Sequence, residues 1–415
     1  MKRIAVIGSG ISGLTAAHLL SQQHDVTLYE AEARLGGHTA TVDINLGDKH
    51  YAIDTGFIVF NDWTYPNFLK LLERTGVAIQ PTEMSFSVQH QETGIEYNGN
   101  NLSTLFAQRS NLLSPKFYAF IAEILRFNKL TKQRLASGGA GNTSTLGDFL
   151  QLYRFSEFFA AHYILPMVAA IWSSSIRDAR IFPMDLFLRF FNHHGLLNVL
   201  NRPQWYVIKD GSRAYIPGLV KPVQQVRTGC PVLSVTRHDH GVQVKSIIDN
   251  QDYDDVVLAC HSDQALKLLG DCSTQERNVL SALEYRENDV VLHTDTSLLP
   301  GNRRAWASWN FWQGAGEDAP PAVTYNMNIL QGIDADKTFC VTLNRSEAID
   351  PNKVLGRYSY AHPVYDSGTI RAQQQYDSIS GHSHTYFCGA YWYNGFHEDG
   401  VRSALDVCRH FGVEL

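Results

Sequence analysis

The chain lacks the features that mark several large protein classes. Its six cysteines among 415 residues (Cys230, Cys260, Cys272, Cys340, Cys388 and Cys408) are scattered, with no Cys-x-x-Cys pair, which excludes a disulfide scaffold and leaves buried free thiols as the expectation. No run approaches the roughly 20 apolar residues of a spanning helix. Met1-Lys2-Arg3-Ile4 leads straight into an apolar strand, with neither the hydrophobic segment nor the cleavage site of a secretion signal, so a cytoplasmic location is expected. Neither sign of charge dominates: 35 basic residues face 41 acidic ones, mixed along the chain, and the net −6 offers nucleic acid no basic footprint. Internal repeats and long low-complexity tracts are also absent.

What is present is a core-forming composition, 44% hydrophobic, in a chain long enough for two lobes. The apolar strand Ile4-Ala5-Val6-Ile7 runs into Gly8-Ser9-Gly10-Ile11-Ser12-Gly13 and then into an Ala- and Leu-rich helix from Leu14 to Gln22. In such a turn Gly8 allows the bend, Gly10 admits a pyrophosphate to the backbone, Gly13 lets helix and strand pack closely, and the helix N-terminus supplies partial positive charge. The next strand, Val26 to Tyr29, ends at Glu30, 22 residues after Gly8 and placed for the ribose hydroxyls of an adenosine. With Ala31 these residues form the first set of expected contacts to a dinucleotide.

Arg34-Leu35-Gly36-Gly37-His38 follows, and here the sequence resembles the FAD-binding superfamily of amine oxidases, phytoene desaturases and protoporphyrinogen oxidases, in which an acidic residue followed by R-x-G-G marks FAD. The resemblance implies a glutathione-reductase-type, Rossmann α/β fold. A flavin dinucleotide extends well past its first ribose, so a second glycine turn with a basic side chain, Arg34, is needed beside it. The resemblance extends to Asp54-Thr55-Gly56-Phe57, expected near the isoalloxazine ring, to Val232 at the start of a strand on the adenine side, and to the apolar run Asp254 to His261, whose Ala259 and Cys260 would lie over the FAD. It closes with Gly389-Ala390 and a helix beginning near Glu398-Asp399-Gly400-Val401, whose N-terminus would face the pyrimidine end of the flavin. Related enzymes often carry a carboxylate where this chain has Ala390; its ribityl contact must then come from Asp399 or Glu398, or be missing.

These segments assign 1–80, 205–265 and 375–415 to a discontinuous FAD lobe, and 81–204 and 266–374 to an interleaved α+β substrate or cap lobe. The first insertion reads as helical over Phe117 to Leu130, Leu146 to Phe155 and Phe158 to Trp172, broken by Ser137-Gly138-Gly139-Ala140-Gly141-Asn142. The second reads as strands, Val290 to Thr294 and Thr338 to Leu343 among them.

There is no second G-x-G-x-x-G after a strand, so substrate would reduce the flavin directly, with oxygen, a quinone or another carrier reoxidising it. Tyr391, Trp392, Tyr393 and Phe396 either wall a substrate pocket or pack the lobe interface. His397 is the candidate catalytic residue, as proton acceptor or as a structural hydrogen bonder. His382 with His384 on one strand face, and the adjacent His193-His194, lack further ligands at metal spacing, so no metal is expected. Trp172-Ser173-Ser174-Ser175 ends an apolar helix and either reaches the pocket or simply terminates it.

Two departures count against a true amine oxidase: the cysteine segment that tethers FAD in some members is absent, and the lysine set near the flavin cannot be placed. The chain is closer to a bacterial branch of amine-oxidase-like proteins, some associated with modified fatty acids, on Asp54 to Phe57, Trp306-Ala307-Ser308-Trp309-Asn310 and Phe396 to Gly400. That resemblance implies an FAD-dependent dehydrogenase or desaturase acting on a hydrophobic or lipid substrate. An amine oxidase, a flavin-dependent isomerase and a non-catalytic lipid carrier are the alternatives. Phe117, Tyr118 and Phe120 fit either a peripheral membrane contact or a core helix.

Overall fold

The computed structural model describes residues 1–138, 144–198, 200–314 and 322–415; Gly139 to Asn142 of the expected linker lie outside them. The chain opens β1 (Arg3–Ile7), α1 (Ile11–Leu20) and β2 (Asp25–Tyr29), followed by the hairpin β3 (Thr41–Leu46) and β4 (Lys49–Asp54), then α2 (Pro66–Thr75). β5 (Phe86–His90) and β6 (Ile95–Asn98) lead into the helices α3 (Pro115–Ala136), α4 (Leu165–Trp172) and α5 (Met184–His193). After these come β7 (Gln225–Arg227), β8 (Val232–His238), β9 (Asp255–Leu258), the long β10 (Tyr285–His293), β11 (Trp309–Gln313), β12 (Ala322–Asn326), β13 (Cys340–Leu343), β14 (Val354–Pro363), β15 (Thr385–Phe387) and α6 (His397–His410).

Five of these strands form a parallel sheet in the order β7-β2-β1-β9-β15. Its central strands are apolar throughout, as burial on both faces requires: Ile4, Ala5, Val6, Val256, Val257 and Leu258 are fully buried. α1 packs on one face at close range, and a Cβ on Gly13 would stand 1.9 Å from the Gly8 carbonyl oxygen.

A second sheet of seven strands, order β14-β10-β13-β12-β11-β5-β6, combines strands from both insertions. β5 of the first insertion pairs in parallel with β11 of the second, Trp309 opposite Phe86, so neither insertion is complete alone. Helices α3 to α5 gather around a phenylalanine-rich core (Phe117, Phe120, Phe127, Phe149, Phe159, Phe187, Phe191) that reaches the sheet at Val88, Phe311 and Val323.

Three local expectations are corrected. The helix read as Phe158 to Trp172 is interrupted by a π-turn over Ala160–Ile164. Pro166 has no N–H to offer the His162 carbonyl four residues back, and the Tyr97 hydroxyl donates to that oxygen instead at 2.7 Å. The helix from Leu146 ends at Leu152 rather than Phe155, with Arg154 turning at φ 50°. His382 and His384 do not share a strand face: a turn closes from the Gly381 N–H to the Thr385 carbonyl, His384 sits at φ 60°, and β15 starts only at Thr385.

Candidate active site

The two glycine-rich turns are joined through Ser9, which the Glu30 carboxylate holds in place. Glu30 Oε2 accepts from Ser9 N at 2.9 Å and Ser9 Oγ at 2.5 Å, and Oε1 accepts from Glu32 N at 2.9 Å. Gly36 N in turn donates to Ser9 Oγ at 3.1 Å. Oε1, with a single protein donor, keeps a lone pair for a hydroxyl. Arg34 donates to the Gly37 carbonyl at 2.9 Å and pairs with Glu32 at 3.3 Å, bracing the second turn through a half-exposed side chain.

Asp54, at the end of β4, is buried and ties three segments together. Its Oδ1 accepts from Thr41 Oγ1 at 2.6 Å and from Ser212 N and Oγ at 2.8 Å each, while Gln331 Oε1 accepts from its backbone N–H. Burial pushes its carboxyl up to about 6 against those donors. Thr55 Oγ1 lies 2.9 Å from the Tyr360 hydroxyl, and Phe57 N donates to the His38 carbonyl at 2.7 Å.

His397 opens α6. Its ring stacks on Phe57, centroids 3.4 Å apart, and Nε2 lies 3.1 Å from Thr39 Oγ1 and 3.0 Å from the Tyr215 hydroxyl, two oxygens that also bond to each other. Burial pushes the imidazole down to about 3, so it is neutral at pH 7. The arrangement fixes the ring's orientation. The next two residues bond to backbone: Glu398 accepts from Asn67 N, Asn67 Nδ2 and Phe68 N, closing the start of α2, and Asp399 accepts from Phe396 N at 2.9 Å. Burial, reinforced by the neighbouring Glu398, pushes Asp399 up to about 7. Both carboxylates suggested as substitutes at Ala390 thus hold protein N–H groups. Gly400 brings α6 against α1: a Cβ there would stand 2.6 Å from Ile11 Cγ2 and 2.9 Å from Ser12 Oγ. Val401 is fully buried beside Ile11 in the core under α1.

Gly389 N donates to Ser403 Oγ at 3.0 Å, and Ala390 begins a short 3-10 turn. Val232, Cys260, Tyr391, Trp392 and Tyr393 pack in one core beneath the parallel sheet, where burial pushes the Cys260 thiol up to about 12. Trp392 and Tyr393 also line an outer cavity of about 470 Å³ with Asp406, Arg409 and His410, residues that fall roughly 15 Å down α6 from its N-terminus. Phe396 lies toward the helical core and stacks on Phe190 at 5.0 Å.

Sequence reading missed a group of imidazoles drawn from three distant segments. His38 stands 6.0 Å from His261 and 5.5 Å from His362, ring to ring. His362 Nδ1 is held by Ser173 Oγ at 3.0 Å and Asn288 Nδ2 at 3.2 Å, and His261 stacks on Tyr285 at 4.1 Å. Burial lowers all three, His362 to about 4, with mutual repulsion adding to it for His38 and His362. His261, which caps the helix following β9, and His362, near the end of β14, carry no local signal as a pair, although His38, His261 and Ser173, the last at a left-handed helix end with φ 49°, each stood in a segment singled out by sequence. Among the described residues no three His, Cys, Asp or Glu side chains converge as a metal site, and no helix is long and apolar enough to cross a membrane.

The residues present fit a flavin dinucleotide. A Cβ on Gly10 would meet nothing within 4 Å, and α1 starts there with no side-chain cap and no acid in its first turn, leaving N–H groups for a phosphate. His38 Nε2 is shut off from solvent without a protein partner, its other nitrogen being bonded at Ala361.

Solved structures share this architecture. A CLA-producing fatty acid isomerase from P. acnes aligns with a TM-score of 0.71 at 17% identity, over 99% of this chain and 98% of that one. Cyclohexylamine oxidase from Brevibacterium oxydans IH-35A gives 0.67 at 14%, over 99% of both chains. A putrescine oxidase bound to putrescine gives 0.70 at 14%, over 99% and 98%. No curated protein matches the chain significantly. The family model for flavin-containing amine oxidoreductases matches residues 11–296, well over half of the sequence. With the glycine cradle, the uncapped helix and that match on one chain, the protein belongs to the flavin-containing amine oxidoreductase family and is an FAD-dependent oxidoreductase.

Proposed function

We propose that the protein removes two hydrogens from a neutral, hydrophobic organic substrate, a lipid acyl chain being the leading case. The bound FAD supplies the hydride acceptor, and oxygen, a quinone or another carrier restores it. The observation that carries the reading is that, among the described residues, the buried ionisable side chains grouped where the lobes meet are neutral or already engaged. His38, His261, His362 and His397 are all held toward the neutral form, and Asp54, Glu398 and Asp399 are engaged by backbone or side-chain donors. Around them stand Phe57, Phe190, Phe396 and Tyr285. Such a lining suits an apolar chain and gives an ammonium no counter-ion.

In this reading the segments 1–80, 205–265 and 375–415 hold the cofactor and the two insertions cover it. Gly8 to Gly13 and Glu30 take the adenosine diphosphate half. Gly36 to His38, Thr55 to Phe57 and Gly400-Val401 border the flavin half, and Asp54, Arg34, Glu398 and Asp399 hold those segments in place. His397 keeps Phe57 in position. Phe396 and Tyr391 border the substrate, Tyr391 with a buried hydroxyl that no protein group partners.

Anaerobic mixing of the yellow protein with unsaturated and branched lipids, and separately with amines, tests this directly: lipids should bleach the flavin absorbance. Bleaching by amines alone would restore an amine oxidase and sink the proposal. A second reading, isomerisation of an unsaturated acyl chain, draws support from the fatty acid isomerase of like fold. It predicts a flavin that lipids do not bleach, with turnover only after prior reduction.

A further inference from the structure

We propose that His362 gives its Nε2–H to the flavin ring of the bound FAD, as a fixed neutral hydrogen-bond donor whose tautomer is set by Asn288 and Ser173. Asn288 is buried on β10, opposite Tyr360 of β14. Its Nδ2 faces the Arg286 and Tyr360 carbonyls at 3.2 and 3.4 Å, which can only accept, and its Oδ1 accepts from Asn344 Nδ2 at 2.8 Å, so the amide has one orientation. The same Nδ2 lies 3.2 Å from His362 Nδ1, which must then be the bare, accepting nitrogen of the ring, and the Ser173 hydroxyl donates to it as well at 3.0 Å. Burial holds the imidazole neutral, and its one proton is on Nε2. A second proton on Nδ1 would be turned against an amide N–H. His362 is therefore built as a donor and not as a base.

The contacts of β14 say where that N–H leads. Tyr360 and His362, two residues apart, share one face of the strand. The Tyr360 hydroxyl meets Thr55, in the segment that borders the flavin half. The His362 ring stands 5.5 Å from the ring of His38, and the residue before His38 touches the first glycine turn: a Cβ on Gly37 would lie 3.2 Å from Gly10 Cα. The aromatics assigned to the substrate side, Phe190 and Phe396, stack on each other and on His194 instead. Among the described residues none accepts from His362 Nε2, and this atom, unlike His38 Nε2, is not shut off from solvent. An open donor on the cofactor side calls for an acceptor, and the isoalloxazine ring presents carbonyl oxygens and bare ring nitrogens. Hydride uptake adds negative charge to that ring, which a fixed N–H stabilises more than it stabilises the oxidised form. The inference rests on bound FAD alone and not on which substrate reduces it.

The experiment is a reductive titration of the full, FAD-loaded chain against a reference dye, with no substrate present. His362→Leu should lower the ratio of reduced to oxidised flavin at a given potential about tenfold, a shift of ~30 mV for a two-electron couple. His362→Gln, whose amide nitrogen can stand where Nε2 stood, should restore the wild-type potential. Nitrogen-15 spectra of the histidine-labelled holoenzyme read the tautomer even if the leucine variant does not fold: the signal lost in His362→Gln should show Nδ1 bare and Nε2 protonated. A proton on Nδ1 overturns the proposal. So does an unchanged potential in His362→Leu, or an equal shift in both variants, which would mean that lost packing and not a lost N–H moved the flavin.

Discussion

Gly10 and Gly13 stand three residues apart in one turn, yet only one of them is needed by the fold. Gly10 has φ −63° and ψ 176°, a conformation any residue adopts, and an added methyl would meet no protein atom within 4 Å. Gly13 has no such room, with the Gly8 carbonyl oxygen 1.9 Å from the methyl position. Gly10→Ala should therefore leave Tm unchanged while lowering FAD affinity about tenfold or more, because the methyl occupies the path of the pyrophosphate. Gly13→Ala should lose about 2 kcal/mol or more of stability, since backbone must move. Urea titration and flavin absorbance after desalting separate the two, and a Gly10→Ala protein that retains its full FAD would place the phosphates elsewhere. Glu30 illustrates a related division: sequence spacing marked it as a ribose ligand, whereas its bonds to Ser9 and Glu32 make it equally the clamp of the glycine turn.

At the scale of elements, α6 and the π-turn before α4 each depend on a contact far away in sequence. Glu398 closes the first turn of α2 with three donors, so Glu398→Ala leaves the Asn67 and Phe68 N–H groups without their acceptor and should cost about 1–2 kcal/mol in urea denaturation. Tyr97→Phe should cost a similar amount, about 1–2 kcal/mol, by orphaning the His162 carbonyl that Pro166 cannot serve. A neutral result for either would mean that water supplies the missing partner. These dependencies explain which elements were legible in advance. β1, α1, β2 and β9 follow from local apolar runs and glycine spacing, and the residues of the cofactor cradle came with them. The π-turn was illegible because its decisive hydroxyl lies 65 residues away on β6. The imidazole group was illegible because His38, His261 and His362 meet only when the parallel sheet and the cap sheet are assembled. Tyr215, which holds His397 across 182 residues, had no local signal at all.

For the whole molecule, buried titratable groups set how stability responds to pH, and two populations pull in opposite directions. His162, His194, His293 and His362 are pushed by burial to about 4, and His397 to about 3. In the unfolded chain a histidine takes up its proton near 6.5, so below that pH the unfolded state binds more protons and stability falls as pH drops. Asp54 and Asp399 act the other way: raised to about 6 and about 7, they hold protons in the folded state that the unfolded chain releases near 3.9, so their contribution is lost as pH rises through those values. Five histidines outweigh two carboxyls between about pH 4 and 6.5, and the net slope there is positive. Above 6.5 these histidines no longer change, while Asp399 is still losing its proton. Tm should thus climb steeply from pH 4, level off near 6.5 and decline slightly to about pH 7. Because His397 is the most depressed of the five and meets only hydroxyls, His397→Gln should flatten the acid limb while leaving the shallow decline in place. An acid limb of unchanged steepness in that variant would mean that the imidazole is solvated and titrates normally, and that Thr39 and Tyr215 do not hold it as described.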